Sequence, residues 1–72
     1  MEIMQGVRLM DTRYFVGKNG KWRIEISGTE DDAKIGFFGA APRHVRKDCE
    51  RFNNSGYKYT AKQLEAYARQ FV

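Results

Sequence analysis

The stretch Tyr14-Phe15-Val16-Gly17-Lys18-Asn19-Gly20-Lys21-Trp22-Arg23-Ile24-Glu25-Ile26-Ser27 sets the architecture. Asn19-Gly20 supplies the positive φ angles that a tight hairpin turn needs, and apolar runs flank it on both sides. After the turn, Trp22, Ile24 and Ile26 alternate with Lys21, Arg23, Glu25 and Ser27, so one face of that strand is apolar and buried while the other is charged and wet. Working outward, Ser27 to Asp32 is rich in small and acidic residues and makes a second turn. Lys34-Ile35-Gly36-Phe37-Phe38 returns as a third strand. Ahead of the hairpin, Val7-Arg8-Leu9 offers a fourth, and the sequence leaves open whether residues 3–10 form it.

At Pro42, the only proline, the apolar period changes from two to three and four, which marks helices following strands. Pro42 suits the first turn of a helix, where its missing N–H costs nothing, and Val45, Cys49 and Phe52 follow as an apolar stripe. Asn53-Asn54-Ser55-Gly56 stops that helix. A second begins at Thr60, where Thr60 and Gln63 match the capping-box pattern, and presents Leu64, Tyr67, Ala68 and Phe71 on one face. The predicted fold is a single α+β domain over residues 1–72, with a three- or four-stranded antiparallel sheet followed by two amphipathic helices packed on one face.

A 72-residue chain builds one core, and its ten aromatics (one Trp, four Tyr, five Phe) carry enough burial to rule out a disordered chain. The lone Cys49 forms no internal disulfide, and one Cys with one His falls short of a structural zinc site. A reducing, cytoplasmic setting is expected. No apolar run is long enough for a membrane span and the N-terminus lacks a secretory pattern, so no membrane association is expected.

Few residues suggest catalysis. His44 and Cys49 lie on one helix about 140° apart, too divergent to act together. Cys49 reads as a small core residue and His44 as a partly exposed polar one. Glu30, Asp31 and Asp32 lack the spaced ligands of a calcium loop and read as a solvated turn. The glycines form no phosphate-binding pattern. No enzyme activity, cofactor or metal is expected.

What remains is surface charge. The net charge is +4, and residues 7–23 carry Arg8, Arg13, Lys18, Lys21 and Arg23 against Asp11. A basic surface attracts nucleic acid through its long-range field and counterion release. A β-ribbon can enter the major groove of DNA, so these five residues form the candidate contact face, although Glu25 on the same face as Arg23 counts against a surface made for phosphates alone. On the first helix, Arg43, Arg46, Lys47 and Arg51 form a second basic face, read either as a further phosphate contact or as a solvated helix surface.

Gly6-Val7-Arg8, Gly20-Lys21-Trp22 with Glu25-Ile26, and Lys34-Ile35-Gly36-Phe37-Phe38, followed by a helix, resemble the plant AP2/ERF domain and phage-integrase N-terminal modules. The resemblance covers roughly residues 6–53. It implies a three-stranded sheet backed by one helix that reads DNA through the sheet, with Arg8, Arg13, Lys21 and Arg23 facing the DNA. The helix from Pro42-Arg43-His44-Val45-Arg46 departs from the alanine-rich helix of that family, and the helix from Thr60 has no counterpart in it.

The leading expectation is therefore a small, non-enzymatic, phage-like module binding DNA through the basic face of its sheet. The alternative is a protein-binding inhibitor or adaptor, of a viral or plasmid-borne type, that blocks a host protein. Tyr57 and Tyr59 would then be its contact aromatics, against the plainer reading that they pack across helix ends. A homodimer is also open, because so small a core gains from association.

Overall fold

The computed structural model describes residues 9–72. Strands β1 (Arg13–Val16), β2 (Trp22–Gly28) and β3 (Ala33–Gly39) precede helices α1 (Arg43–Asn54) and α2 (Ala61–Arg69). The sheet is an antiparallel meander in the order β1-β2-β3, and both helices cover one of its faces. The expected α+β architecture is thus observed, with three strands among the described residues. Of the fourth expected strand, Val7 and Arg8 lie outside the described residues, while Leu9 belongs to no strand and is exposed.

The period-two pattern places the core. Trp22, Ile24 and Ile26 of β2 and Ala33 and Ile35 of β3 are buried beneath Val45 and Cys49 of α1 and Ala61, Leu64 and Ala68 of α2. The four largest fully enclosed side chains, Ile24, Ile26, Leu64 and Val45, each contribute roughly 1.5–3 kcal/mol of burial. Phe15, Phe52, Tyr59, Tyr67 and Phe71 close the margins. Phe52 meets Tyr59 and Tyr67 edge to face, and Tyr67 meets Phe71, which reaches Trp22.

Asn19-Gly20 marks the hairpin, yet the turn is wider than the two-residue form. Gly17 N–H donates to Trp22 C=O at 2.9 Å, Gly20 N–H donates to Gly17 C=O at 2.8 Å, and Lys21 N–H donates to Asn19 Oδ1 at 2.9 Å. Of the central pair only Gly20 takes positive φ (74°). The chain opens into four loop residues, 18–21, so Lys21 stands in the loop rather than at the start of β2.

Thr60 caps α2 as its sequence predicts. Its hydroxyl accepts from Gln63 N–H at 3.1 Å and the Gln63 carbonyl oxygen accepts from Thr60 N–H at 2.9 Å. Pro42 sits at the N-cap of α1, one place before the first helical turn, and its carbonyl accepts from Val45 and Arg46. The exposed edge of β3 is occupied from the same helix: Asn53 Nδ2 donates to Ile35 C=O at 2.6 Å and Asn53 Oδ1 accepts from Ile35 N–H at 3.2 Å. Ala33 N–H donates to Tyr59 C=O and Ala61 N–H to Glu30 C=O, fixing the link between the helices against the β2–β3 turn.

Candidate nucleic-acid interface

The register assigns every strand side chain to a face. Val16 pairs with Arg23 and Arg23 with Phe38; Tyr14 pairs with Glu25 and Glu25 with Gly36; Ser27 pairs with Lys34. These residues make three rows across the sheet face that the helices leave open, successive rows lying roughly 7 Å apart along the strands. Arg23 is at the centre. Its guanidinium lies 4.5 Å from the centroid of the Phe38 ring and 5.0 Å from that of Tyr14, and its Nε donates to Glu25 Oε2 at 3.0 Å. The cation–π contacts and the ion pair hold the arginine against the sheet, while Phe38 and Tyr14 remain 60% and 57% exposed.

Arg13 is elsewhere. It pairs with Ile26, on the helix-covered face, where its guanidinium donates to Glu65 of α2 and to Glu30 of the β2–β3 turn. Those two hydrogen bonds, the Glu65 bond being the stronger influence, push its pKa above the ordinary arginine value. The expected place of Arg13 on the open sheet face is therefore corrected. It closes the end of the domain, and its charge is met by two carboxylates. Lys18 and Lys21 are exposed in the hairpin loop, beside the open face but off the strands, and Arg8 lies outside the described residues. Lys34, absent from the candidate set, does lie on the open face, 3.6 Å from Asp32.

A shallow groove of about 300 Å³ continues the face toward the loop, lined by Val16, Lys21, Trp22, Arg23, Phe38 and Gly39. Gly36 supplies a flat patch in the middle of β3: a β-carbon there would meet no atom within 4 Å, and its φ is ordinary. Among the described residues, neither turn geometry nor packing calls for glycine at that position.

The second basic face, Arg43, Arg46, Lys47 and Arg51, is exposed on α1, in the helix layer behind the sheet. It forms no single surface with Arg23. Arg51 is 3.4 Å from Asp48, whose other oxygen accepts from the Tyr67 hydroxyl at 2.7 Å. The two linker tyrosines part ways. Tyr59 packs on Phe52 at the core margin, whereas Tyr57 touches Tyr59 edge-on and stays largely exposed.

Cys49 is buried, and burial, with a smaller push from the charge of Asp48, raises its thiol pKa to about 11. His44 is exposed and rests near the Phe71 ring. Among the described residues no three His, Cys, Asp or Glu side chains are grouped to hold a metal ion, and no helix is long and apolar enough to cross a membrane.

Compared with protein-family models, with curated proteins and with solved structures, the chain matches none.

Proposed function

We propose that this domain is a small, non-enzymatic DNA-binding module that docks the open face of its sheet and the adjoining hairpin loop. The observation that carries the reading is Arg23, fixed at the centre of the sheet face that the helices leave open, between two exposed aromatic rings. Lys18 and Lys21 at one end and Lys34 at the other flank it with positive charge, in keeping with the net charge of +4. Arginine and aromatic rings suit bases, and lysines suit phosphates. The AP2/ERF and integrase resemblance likewise implies that DNA is read through the sheet, with Arg8, Lys21 and Arg23 facing it, now with Arg13 removed from the contact set.

The test separates the two arginines. Arg23→Ala should weaken binding of a labelled DNA by about 1–3 kcal/mol, the worth of a base contact, while Arg13→Ala should lower the melting temperature and leave affinity unchanged. With three lysines as phosphate contacts, the logarithm of affinity should fall against that of salt with a slope of about −2 to −3. Loss of affinity in Arg13→Ala with none in Arg23→Ala would refute the assignment.

Exposed Tyr14 and Phe38 beside Arg23, and exposed Tyr57 in the link between the helices, also suit a protein interface, where such residues are enriched. Absence of DNA binding at low salt in the intact protein would remove the leading reading and leave that of an inhibitor or adaptor of a host protein.

A further inference from the structure

We propose that the open face takes unpaired nucleotides, stacking bases on Tyr14 and Phe38 above the flat patch at Gly36. This rests on the nucleic-acid reading above and narrows it to single strands. In a duplex the faces of the bases are stacked on one another and only their edges are offered in the grooves. What this surface offers is aromatic rings: Phe38 and Tyr14 stand on the outer strands, more than half exposed, with the Arg23 guanidinium over one face of each ring. Such rings bind bases of any identity once the bases are unstacked.

Gly36 is the independent observation. Glycine inside a strand weakens it and, where no bulge or bend is present, marks a place where another group approaches the backbone closely. Here φ is ordinary and the space above is empty, so nothing among the described residues accounts for it. It lies two residues from Phe38 along β3 and in the same row as Tyr14, so a planar ring laid over it would be bounded by both aromatics.

The charges agree with this arrangement. A protein making six to ten phosphate contacts binds a duplex with steep salt dependence, whereas this face offers Lys18, Lys21 and Lys34, with Lys34 already paired with Asp32 and Arg23 with Glu25. Glu25 in the central row would repel a phosphate but accepts hydrogen bonds from exocyclic amino groups such as cytosine N4. A chain running from the hairpin loop to Lys34, backbone on the lysines and bases over Gly36, satisfies both signs.

The experiment measures fluorescence anisotropy of a mixed-sequence DNA of about 12 nucleotides, single-stranded and as its duplex, with the RNA of the same sequence as a third probe. The expected result is single-strand binding at least about tenfold tighter than duplex binding. Tyr14→Ala and Phe38→Ala should each cut single-strand affinity by about 5- to 150-fold, and Phe38→Leu should lose most of that despite keeping an apolar side chain. Gly36→Val is the discriminating variant, because a β-branched residue favours the strand: it should hold or raise the melting temperature while lowering single-strand affinity about tenfold or more. Equal or tighter duplex binding, or single-strand binding unmoved by Phe38→Leu and Gly36→Val, would overturn this inference and leave DNA binding standing. Failure to bind any of the probes would overturn both. Tighter binding of the RNA, with the same response to the variants, supports the stacking site and identifies the strand it prefers.

Discussion

Gly17→Ala should be the most damaging single-methyl change in the hairpin. Gly17 is buried beneath the Trp22 indole, and a β-carbon added to it would run into Cε2 and stand 2.6 Å from Nε1 and 2.8 Å from Cζ2. The indole has little freedom to move. Its backbone carbonyl accepts the Gly17 N–H, its strand partner on the other side is Gly39, and its ring meets Phe71 edge-on at 5.6 Å between centroids. Overpacking of this kind costs about 1–3 kcal/mol. At about 4–8 °C per kcal/mol for a domain of this size, the melting temperature should fall by roughly 10 °C. Trp22 is the sole tryptophan, so its emission reports the displacement directly alongside thermal unfolding followed by circular dichroism. Two other glycines act as controls. Gly20→Ala meets no atom but forces a side chain into positive φ, costing about 1–2 kcal/mol that Gly20→Asn partly restores. Gly36→Ala has neither problem and should gain about 0.4–1 kcal/mol through the unfolded chain. A Gly17→Ala protein within about 0.5 kcal/mol of the parent, a change typical of an unconstrained surface site, would refute the packing account of Gly17.

Two further outcomes follow from the helix layer. Alkaline pH should destabilise the fold. Burial raises the Cys49 thiol from 9.0 to about 11, and burial followed by the hydrogen bond to Asp48 raises the Tyr67 phenol, so the folded chain keeps protons that the unfolded chain releases. This stability is complete below about pH 9 and is lost as pH climbs through 11; Cys49→Ala should flatten the lower part of the decline in urea midpoints, and an unchanged profile would contradict the assignment. Asn53→Ala should cost about 1–2 kcal/mol by urea unfolding, since it frees both polar groups of Ile35 at the edge of β3. It should also promote association through that edge, read by sedimentation, and a monomer of parental stability would refute the edge-cap role.

The sheet and both helices are legible in the sequence because each rests on a local signal: alternation in Trp22-Ile24-Ile26, the stripe of Val45, Cys49 and Phe52, and Thr60 with Gln63. The proposed contact face is less so, because it depends on parity carried across the turn. With Asn19-Gly20 as the two loop residues, Lys18 would oppose Lys21 and Arg13 would oppose Ile26, a buried position; the observed four-residue loop keeps that register. The covered place of Arg13 therefore follows from the turn and the alternation of β2 together, although the basic run of residues 8–23 suggests one charged surface. Phe37-Phe38 carries a similar signal, because adjacent strand residues point to opposite faces, so one phenylalanine must stand on the open side. What no local pattern shows is the Asn53 clamp on Ile35 or the reach of Arg13 to Glu65, since each joins residues far apart in sequence.

Placement of the charges also explains how a modestly basic domain could combine attraction with selectivity. Arg13 is neutralised by Glu30 and Glu65, and Arg23 is partly met by Glu25, so the open face itself is mainly aromatic, with Lys18 and Lys21 at its hairpin end and Lys34, paired with Asp32, at the other. The cations of α1, Arg43, Arg46, Lys47 and Arg51, lie in the layer behind the sheet and add to the field around the molecule. A field of that kind raises the rate of encounter with a polyanion and is screened by salt over about 8–10 Å. On the proposed reading, stacking of bases on Tyr14 and Phe38 would be short-ranged and weakly screened, so encounter and retention would be carried by different residues: association should fall steeply with salt, while dissociation should change little.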